Sequence, residues 1–256
     1  VPVLVLLHGF TGAGNNWRPY VDKWGTKYRL LLVDIIGHGQ SDAPVDPSRY
    51  AMHHATADLV KILDYLQIEQ CDMLGYSMGG RLALATAVRT PGRIRALVLE
   101  GSTPGIADSE ERKLRVERDE ALARRIERDG IAAFVSYWES LPLFASQTKL
   151  PTSVRTKIRQ QRLNNREVGL ANSLRGMGTG AQPSLWHKLP KLNLPVLLLA
   201  GEWDKKFCRI GRAMRDKLPQ ADFYEVAHAG HTVHVEQAAV FDTIVMDFLN
   251  RIDCNT

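Results

Sequence analysis

The sequence has few of the features that mark secreted, metal-binding or membrane proteins. It contains three cysteines in 256 residues, Cys71, Cys208 and Cys254, an odd number at wide spacing that fits neither a disulfide framework nor a zinc site. No apolar run approaches the roughly 18 residues that a membrane span requires. Internal repeats and low-complexity tracts are also lacking. These absences predict a cytoplasmic protein with reduced thiols, no membrane insertion and no bound metal.

The first seven residues are apolar but lack the signals of a secretory leader. Val1–Leu7 has no basic segment and no small-residue cleavage pattern, so it predicts a buried strand rather than a signal peptide. Because there is no initiator Met, we expect a processed or partial product whose numbering begins within its sheet.

Charge is close to balanced over most of the chain. Lys and Arg number 33 and Asp and Glu number 28, a net charge of +5. Positions 107–188 hold 15 basic and 10 acidic residues, so the whole excess lies there. These basic residues do not form the stripe interleaved with aromatics that is typical of nucleic-acid binding. The distribution predicts a cover for a small polyanionic substrate, with no nucleic-acid partner.

Six short apolar runs have the length of buried strands, and helical patterns separate most of them. The helical patterns cover His53–Leu66, Arg81–Val88 and Val235–Leu249. This alternation predicts an α/β fold, with a mostly parallel central sheet and helices on both faces. The strand-like runs are Val3–Leu7, Leu30–Val33, Met73–Gly75, Ala96–Leu99, Val196–Ala200 and Phe223–Val226.

One segment interrupts this alternation. Residues 107–188 contain no convincing strand and have helical patterns rich in charge, with breaks at Gly130, Pro142 and Pro151. We therefore predict a core formed by 1–106 and 189–256, with 107–188 inserted as a helical lid.

A G-x-S-x-G motif follows the third strand-like run and precedes a helical pattern. It reads Gly75-Tyr76-Ser77-Met78-Gly79, and strand–turn–helix is the context in which such a turn exposes a nucleophilic serine. Without further residues, a glycine-rich turn is the alternative interpretation.

Two further residues follow in the order serine, acid, histidine that this type of site requires. Asp204 and His231 each lie just past a strand-like run, at the sheet edge where open α/β folds collect functional groups. In the predicted triad, His231 takes the proton of Ser77 and Asp204 orients the imidazole. The competing candidates for these two roles are His228, His234 and Glu202.

Two loops rich in glycine follow the first two strands. In Leu7-His8-Gly9-Phe10, the backbone N–H of Phe10 is predicted to form an oxyanion hole with that of Met78. Gly37-His38-Gly39-Gln40-Ser41-Asp42 lacks the glycine and lysine pattern of a nucleotide loop. We interpret it as a structural turn with capping by Ser41 and Asp42, and expect no cofactor.

With these residues the chain resembles the α/β-hydrolase superfamily over essentially its whole length. Segments that general hydrolases do not share are similar to the 2-succinyl-6-hydroxy-2,4-cyclohexadiene-1-carboxylate synthases of menaquinone biosynthesis. Those segments are Leu141–Gln147, Arg162–Asn165, Ala171–Trp186, Asp204–Phe207 and Gly79–Arg81.

The resemblance implies a lyase, not a hydrolase. It implies that pyruvate is eliminated from 2-succinyl-5-enolpyruvyl-6-hydroxy-3-cyclohexene-1-carboxylate, with Ser77 as base and no cofactor. It also implies that Tyr76, Arg81, Trp138 and Arg162 bind the tricarboxylate substrate, for which arginine is well shaped. Glu139 departs from the pattern, since some relatives have another aromatic after Trp138.

Two other functions fit parts of the sequence. A serine hydrolase of esters or carbon–carbon bonds would use the same triad and oxyanion residues, but its pocket should be mostly apolar. A ligand receptor on a hydrolase scaffold would retain the triad without fast turnover.

Overall fold

A six-stranded parallel sheet forms the centre of the molecule. The structure is a computed structural model and describes residues 1–254. Its strands are β1 (Val3–Leu7), β2 (Arg29–Val33), β3 (Cys71–Tyr76), β4 (Ile94–Glu100), β5 (Val196–Gly201) and β6 (Ala221–Val226). They lie in the order β2-β1-β3-β4-β5-β6, and every pairing is parallel. The predicted α/β fold with a parallel sheet is confirmed.

The strand order reverses between β1 and β3. From β1 the chain goes to β2 on one side and then returns to β3 on the other, and Leu7 pairs with Gly75. Ligands of open parallel sheets bind beyond the carboxyl ends of the strands at such a reversal. This register therefore brings the loop after β1 next to the turn after β3.

Helices cover both faces of the sheet. They are α1 (Arg18–Trp24), α2 (Met52–Tyr65), α3 (Met78–Arg89), α4 (Ser109–Glu139), α5 (Thr152–Leu163), α6 (Glu167–Met177), α7 (Lys205–Arg215), α8 (Val233–Glu236) and α9 (Ala238–Cys254). Short 3₁₀ segments cover Gly14–Trp17, Pro47–Tyr50, Pro142–Lys149 and Trp186–Lys191.

Alternate residues of β1 show why its sequence is apolar throughout. Val5 packs in one buried cluster with Leu59 of α2, whereas Leu6 packs in a second cluster with Trp24 of α1. A parallel strand with helices on both faces needs apolar side chains on both, which removes the polar alternation of a half-exposed strand.

Three helices, α4, α5 and α6, lie between β4 and β5. A sharp kink divides α4 at Gly130, whose φ of +80° favours glycine. Pro142 begins the following 3₁₀ segment and Pro151 immediately precedes α5. Helices α4 and α6 share a small apolar cluster that includes Ile126 and Leu170.

The structure differs from the sequence prediction at three helices. Neither α1 nor α7 was expected, and the predicted helix Val235–Leu249 is divided at Gln237, between α8 and α9. The start of α7 is stabilised by Asp204, whose carboxylate accepts the N–H of Phe207 at 3.3 Å.

The loop at 37–42 is the predicted structural turn, and its hydrogen bonds centre on Asp34. The Asp34 carboxylate accepts the N–H groups of Gly14 at 2.6 Å and Gln40 at 2.7 Å. The Ser41 hydroxyl donates to the Asp34 carbonyl at 2.5 Å, and the Asp42 carbonyl accepts the N–H of Gly37. These bonds fix the conformation of the loop, in which Gly37 and His38 are buried while Gln40 and Asp42 are exposed.

Within residues 1–254, no helix is both long and apolar enough to cross a membrane. Over the same residues, no group of three or more His, Cys, Asp or Glu side chains could hold a metal ion. Cys71 and Cys208 are buried free thiols, and Cys254 is exposed. The cytoplasmic location stays a prediction.

Candidate active site

Ser77 occupies the turn between β3 and α3 in a strained backbone conformation. Its φ is +51° and its ψ is −107°, a combination that residues other than glycine rarely adopt. A Cβ atom at Gly75 would collide with the carbonyl of Gly79, and one at Gly79 would collide with the carbonyl of Leu7. Both motif glycines are therefore required by the close approach of β1, β3 and α3, which directs the serine toward a cavity at the sheet edge.

His231 and Asp204 lie in line with Ser77. His231 Nε2 is 3.2 Å from Ser77 Oγ, and His231 Nδ1 is 2.6 Å from Asp204 Oδ2. Both the imidazole and the carboxylate are buried. The arrangement can transfer the serine proton to His231 while Asp204 holds the Nδ1–H and stabilises the imidazolium.

The three competing candidates lie apart from Ser77. His228 is exposed and its ring packs against Trp203. His234 is buried with its Nδ1 2.8 Å from Glu100 Oε2, and Glu202 accepts the N–H of His228. The structure thus brings His231 and Asp204, not these residues, to the serine.

Buried His8 holds the loop after β1. The N–H of Ile35 donates to His8 Nε2 at 3.0 Å, so the proton of the neutral imidazole lies on Nδ1, 2.8 Å from the Gly9 carbonyl. Burial lowers the pKa of His8 to about 4, which keeps the ring neutral near pH 7. Phe10 in this loop and Met78 at the start of α3 both border the cavity beside Ser77. Backbone N–H groups at these two positions can bind an oxygen that gains negative charge.

A cavity of about 170 Å³ connects these groups with the helices between β4 and β5. Of the residues predicted from the sequence, those that border it are Phe10, Tyr76, Ser77, Met78, Arg81, Trp138 and His231. Arg162 does not border it, and Asp204 lies behind His231.

Arg81 is the buried cation of the cavity. Its Nη1 donates to the Met177 carbonyl at 2.7 Å and to Gln182 Oε1 at 2.6 Å. Burial, together with the nearby charge of Arg115, lowers the pKa of Arg81 to about 10, so that it remains protonated at neutral pH. These two bonds fix the guanidinium and leave other donors for a ligand.

Two cations that border the cavity were not predicted from the sequence. Arg115 of α4 pairs with Asp119 at 2.8 Å, and Lys206 lies at the start of α7. The Asp204–Phe207 segment of the family resemblance contains Lys206, so a signal for this lysine existed. Nothing local distinguished Arg115 from the other arginines of α4.

Aromatic side chains form much of the remaining cavity wall. Trp138 contacts Phe10 edge-on, with ring centroids 5.3 Å apart, and lies 5.6 Å from Phe144. The Tyr76 ring lies 5.3 Å from that of His231, and burial raises the pKa of its hydroxyl well above the usual value. Tyr76 is therefore a neutral hydroxyl at physiological pH.

Arg162 lies behind the aromatic wall. Its guanidinium is 4.9 Å from the centroid of Phe144, and it donates to Glu139 Oε1 at 3.2 Å and to Gln147 Oε1 at 3.3 Å. Burial lowers the pKa of Arg162, and the neighbouring Glu139 opposes this effect. Glu139, the residue that follows Trp138, is thus a direct partner of this arginine.

Comparisons with known proteins agree over most of the chain. The alpha/beta hydrolase fold family model matches residues 2–238. A Bacillus subtilis (strain 168) protein, provisionally named as a 2-succinyl-6-hydroxy-2,4-cyclohexadiene-1-carboxylate synthase, is 48% identical over 97% of this chain and 90% of its own length. The synthase of that name from Serratia proteamaculans (strain 568) is 32% identical over 97% of this chain and 93% of its own. The solved structure of MenH from S. aureus has a TM-score of 0.95 at 37% identity, covering 98% of this chain and 94% of that one.

Proposed function

The chain belongs to the alpha/beta hydrolase fold family and, within it, to the 2-succinyl-6-hydroxy-2,4-cyclohexadiene-1-carboxylate synthases, and on this premise we propose how its residues act. It is a lyase of menaquinone biosynthesis. Its reaction eliminates pyruvate from 2-succinyl-5-enolpyruvyl-6-hydroxy-3-cyclohexene-1-carboxylate, the enolpyruvyl substrate.

Proton removal is assigned to Ser77. His231 takes the hydroxyl proton across the 3.2 Å Nε2–Oγ contact, and the Ser77 oxygen takes the ring proton next to the succinyl ketone. Asp204 stabilises the imidazolium that results. The electron pair of the broken C–H bond forms an enolate, whose oxygen accepts the N–H groups of Phe10 and Met78.

Collapse of this enolate expels the leaving group. A new ring double bond forms as the C–O bond to the enolpyruvyl group breaks. The His231 imidazolium returns its proton to the leaving group, which becomes pyruvate. Neither water nor an oxidant is consumed, and no acyl-enzyme forms.

The cavity charge is the observation that carries this assignment to the tricarboxylate substrate. Three cations, Arg81, Arg115 and Lys206, border the cavity that contains Ser77. Guanidinium groups bind carboxylates in a bidentate manner, and a lysine adds a point charge. Three cations beside the nucleophile match three carboxylates, whereas a neutral ester would leave these charges without partners in the cavity.

The decisive experiment follows pyruvate release from the enolpyruvyl substrate. Ser77→Ala should lower the rate by about 10⁴-fold or more, because the remaining groups cannot replace the base. Ser153→Ala, on the exposed start of α5, is the matched control and should retain the wild-type rate. Full turnover by Ser77→Ala would contradict the mechanism.

A serine hydrolase is the second candidate, since the same three residues can carry out acyl transfer. Comparing pyruvate release with the turnover of a p-nitrophenyl ester distinguishes this hydrolase from the lyase. Ester turnover that exceeds pyruvate release, and that Arg81→Ala leaves unchanged, would favour the hydrolase. Substrate binding without multiple turnover would favour a receptor.

A further inference from the structure

Oriented hydrogen bonds connect Arg162 with the loop that carries His231. Arg162 Nη2 donates to Gln147 Oε1 at 3.3 Å, and Gln147 Nε2 donates to Thr232 Oγ1 at 2.9 Å. The Thr232 hydroxyl then donates to Glu236 Oε1 at 2.6 Å. Gln147 and Thr232 each accept one bond and donate the next, so all three bonds exist at once. We call these four residues the Gln147 relay.

The relay ends on the backbone around His231. Glu236 Oε2 accepts the N–H of Gly230 at 2.7 Å, and Oε1 accepts that of Thr232 at 3.2 Å. These are the residues immediately before and after His231. The orientation of the Glu236 carboxylate therefore influences where the loop places the imidazole relative to Ser77.

The middle of the relay is largely buried, although Gln147 also borders a second cavity of about 310 Å³. Gln147 is 8% exposed and Thr232 is 5% exposed. A buried polar group that loses its partner cannot replace it with solvent, so it rotates or remains unpaired at a cost greater than that of the bond itself. Gln147 belongs to the segment between β4 and β5 and Thr232 to the core, so the relay joins these two parts beside the cavity.

We propose that Gln147 is a positioning residue for proton transfer. It holds the Thr232 hydroxyl in the orientation that donates to Glu236 and so fixes His231 within reach of Ser77. The proposal rests on the proposed function for the roles of Ser77 and His231. Gln147, Thr232 and Glu236 are not among the residues predicted to bind substrate, so this part of the relay can be tested without it.

Four variants separate the relay from general packing. Gln147→Leu and Thr232→Val each remove the central hydrogen bond, whereas Thr232→Ser retains the hydroxyl. Gln161→Leu is the matched control, because Gln161 Nε2 donates to Asn16 Oδ1 at 2.9 Å, a bond from α5 to the core away from the His231 loop. The readouts are kcat and KM for pyruvate release, and the rate at which an alkyl fluorophosphonate labels Ser77.

If the relay positions His231, kcat should fall by about tenfold in Gln147→Leu and in Thr232→Val, while KM should change by less than about threefold. Fluorophosphonate labelling should slow to a similar extent. Thr232→Ser and Gln161→Leu should stay within about twofold of the wild type. The double variant Gln147→Leu/Thr232→Val should be no slower than the slower single variant, since both remove the same bond.

Three results would overturn the relay: wild-type kcat and labelling in both relay variants, a rise in KM alone, or single-variant losses that multiply in the double variant. If Gln147→Leu fails to fold, the Thr232→Val and Thr232→Ser pair decides the question. A wild type that releases no pyruvate but shows the expected labelling pattern contradicts the proposed function and supports the relay. Rapid pyruvate release with unchanged labelling in the relay variants overturns the relay alone.

Discussion

The two walls of the cavity are constructed differently. The core wall carries Ser77, His231 and Asp204 on turns that follow three strands of the sheet, so strand register fixes their separation. The lid wall, our name for the part formed by the segment 107–188, carries Arg115 before and Trp138 after the kink that divides α4 at Gly130. The catalytic residues therefore lie where strand register fixes their geometry, whereas the contribution of the segment 107–188 to the cavity depends on how individual helix side chains pack.

The two walls also differ in how their charged residues are used. The segment 107–188 holds the net charge of +5, but many of its arginines pair with acidic residues of the same segment. Arg175, for example, pairs with Glu120 at 2.9 Å and with Glu127 at 2.5 Å. Of the three cations that border the cavity, only Arg115 comes from this segment, while Arg81 and Lys206 come from the core. The excess of positive charge in the segment 107–188 therefore does not measure the charge of the cavity.

The largest effect on activity is expected from Asp204→Asn, which changes the chemistry of the core wall but not its shape. Asp204→Asn should lower kcat by about 10⁴-fold with little change in KM, because an amide N–H facing Nδ1 favours the wrong imidazole tautomer. Steady-state pyruvate release measures this, with the exposed Asp216→Asn at the end of α7 as the control. If Asp204→Asn retained about a tenth or more of the wild-type kcat, Asp204 would not orient His231.

A pH dependence of stability should also originate beneath the core wall. Burial lowers the pKa of His8 to about 4, and burial reinforced by His8 lowers that of His38 to about 3. As the pH falls from about 6.5 to about 4, His8 and His38 bind protons in the unfolded chain but not in the folded protein. The contribution that the two neutral rings make to the free energy of unfolding above pH 6.5 is therefore progressively lost. The expected loss is about 2 kcal/mol for each ring at pH 5.

Urea unfolding at pH 7 and pH 5 measures this loss. His38→Gln should lose less stability than the wild type between the two pH values, since it lacks one buried ring. The exposed His53→Gln of α2 should retain the wild-type difference. Equal losses in all three proteins would assign the pH dependence to other groups.

The core wall could be predicted from the sequence because its signals are local and ordered. Ser77 is surrounded by glycines that the turn requires, and Asp204 and His231 each follow an apolar run. The lid wall could not be predicted in this way. Arg115 and Arg124 lie on one helix and each pairs with an acidic residue four positions away, at 2.8 Å in both cases. Which of them faces the cavity depends on how α4 packs against the core, and no local pattern encodes that packing.

The family resemblance supplied Arg162 as a binding residue, but not its position. The structure places it behind Phe144, paired with Glu139 and Gln147. Its role in substrate binding stays a prediction. A motif match transfers the identity of a residue such as Arg162, whereas its position also depends on neighbouring residues outside the motif, such as Glu139.

The next largest effect on activity is expected at Arg115, the cation that the segment 107–188 contributes to the cavity. Arg115→Ala should lower kcat/KM by about 10-fold to 100-fold, mainly through KM, since a charged hydrogen bond to a carboxylate contributes about 1.5 to 3 kcal/mol. Substrate titrations of pyruvate release measure it. Arg115→Lys should recover part of the loss, because the charge remains without the bidentate geometry. An unchanged KM in Arg115→Ala would remove this residue from the binding site.

The smallest effect is expected at Arg124, which is 73% exposed and pairs with Glu120 on the same helix as Arg115. Arg124→Ala should leave kcat/KM within about twofold of the wild type and cost less than about 1 kcal/mol of stability, because exposed ion pairs contribute little. Both arginines carry the same charge, so the two alanine variants compare a cation at the cavity with one that faces solvent. A loss of kcat/KM in Arg124→Ala equal to that in Arg115→Ala, and abolished by high salt, would mean that the lid attracts the substrate through its summed field. A loss confined to Arg115→Ala would mean that binding depends on contact.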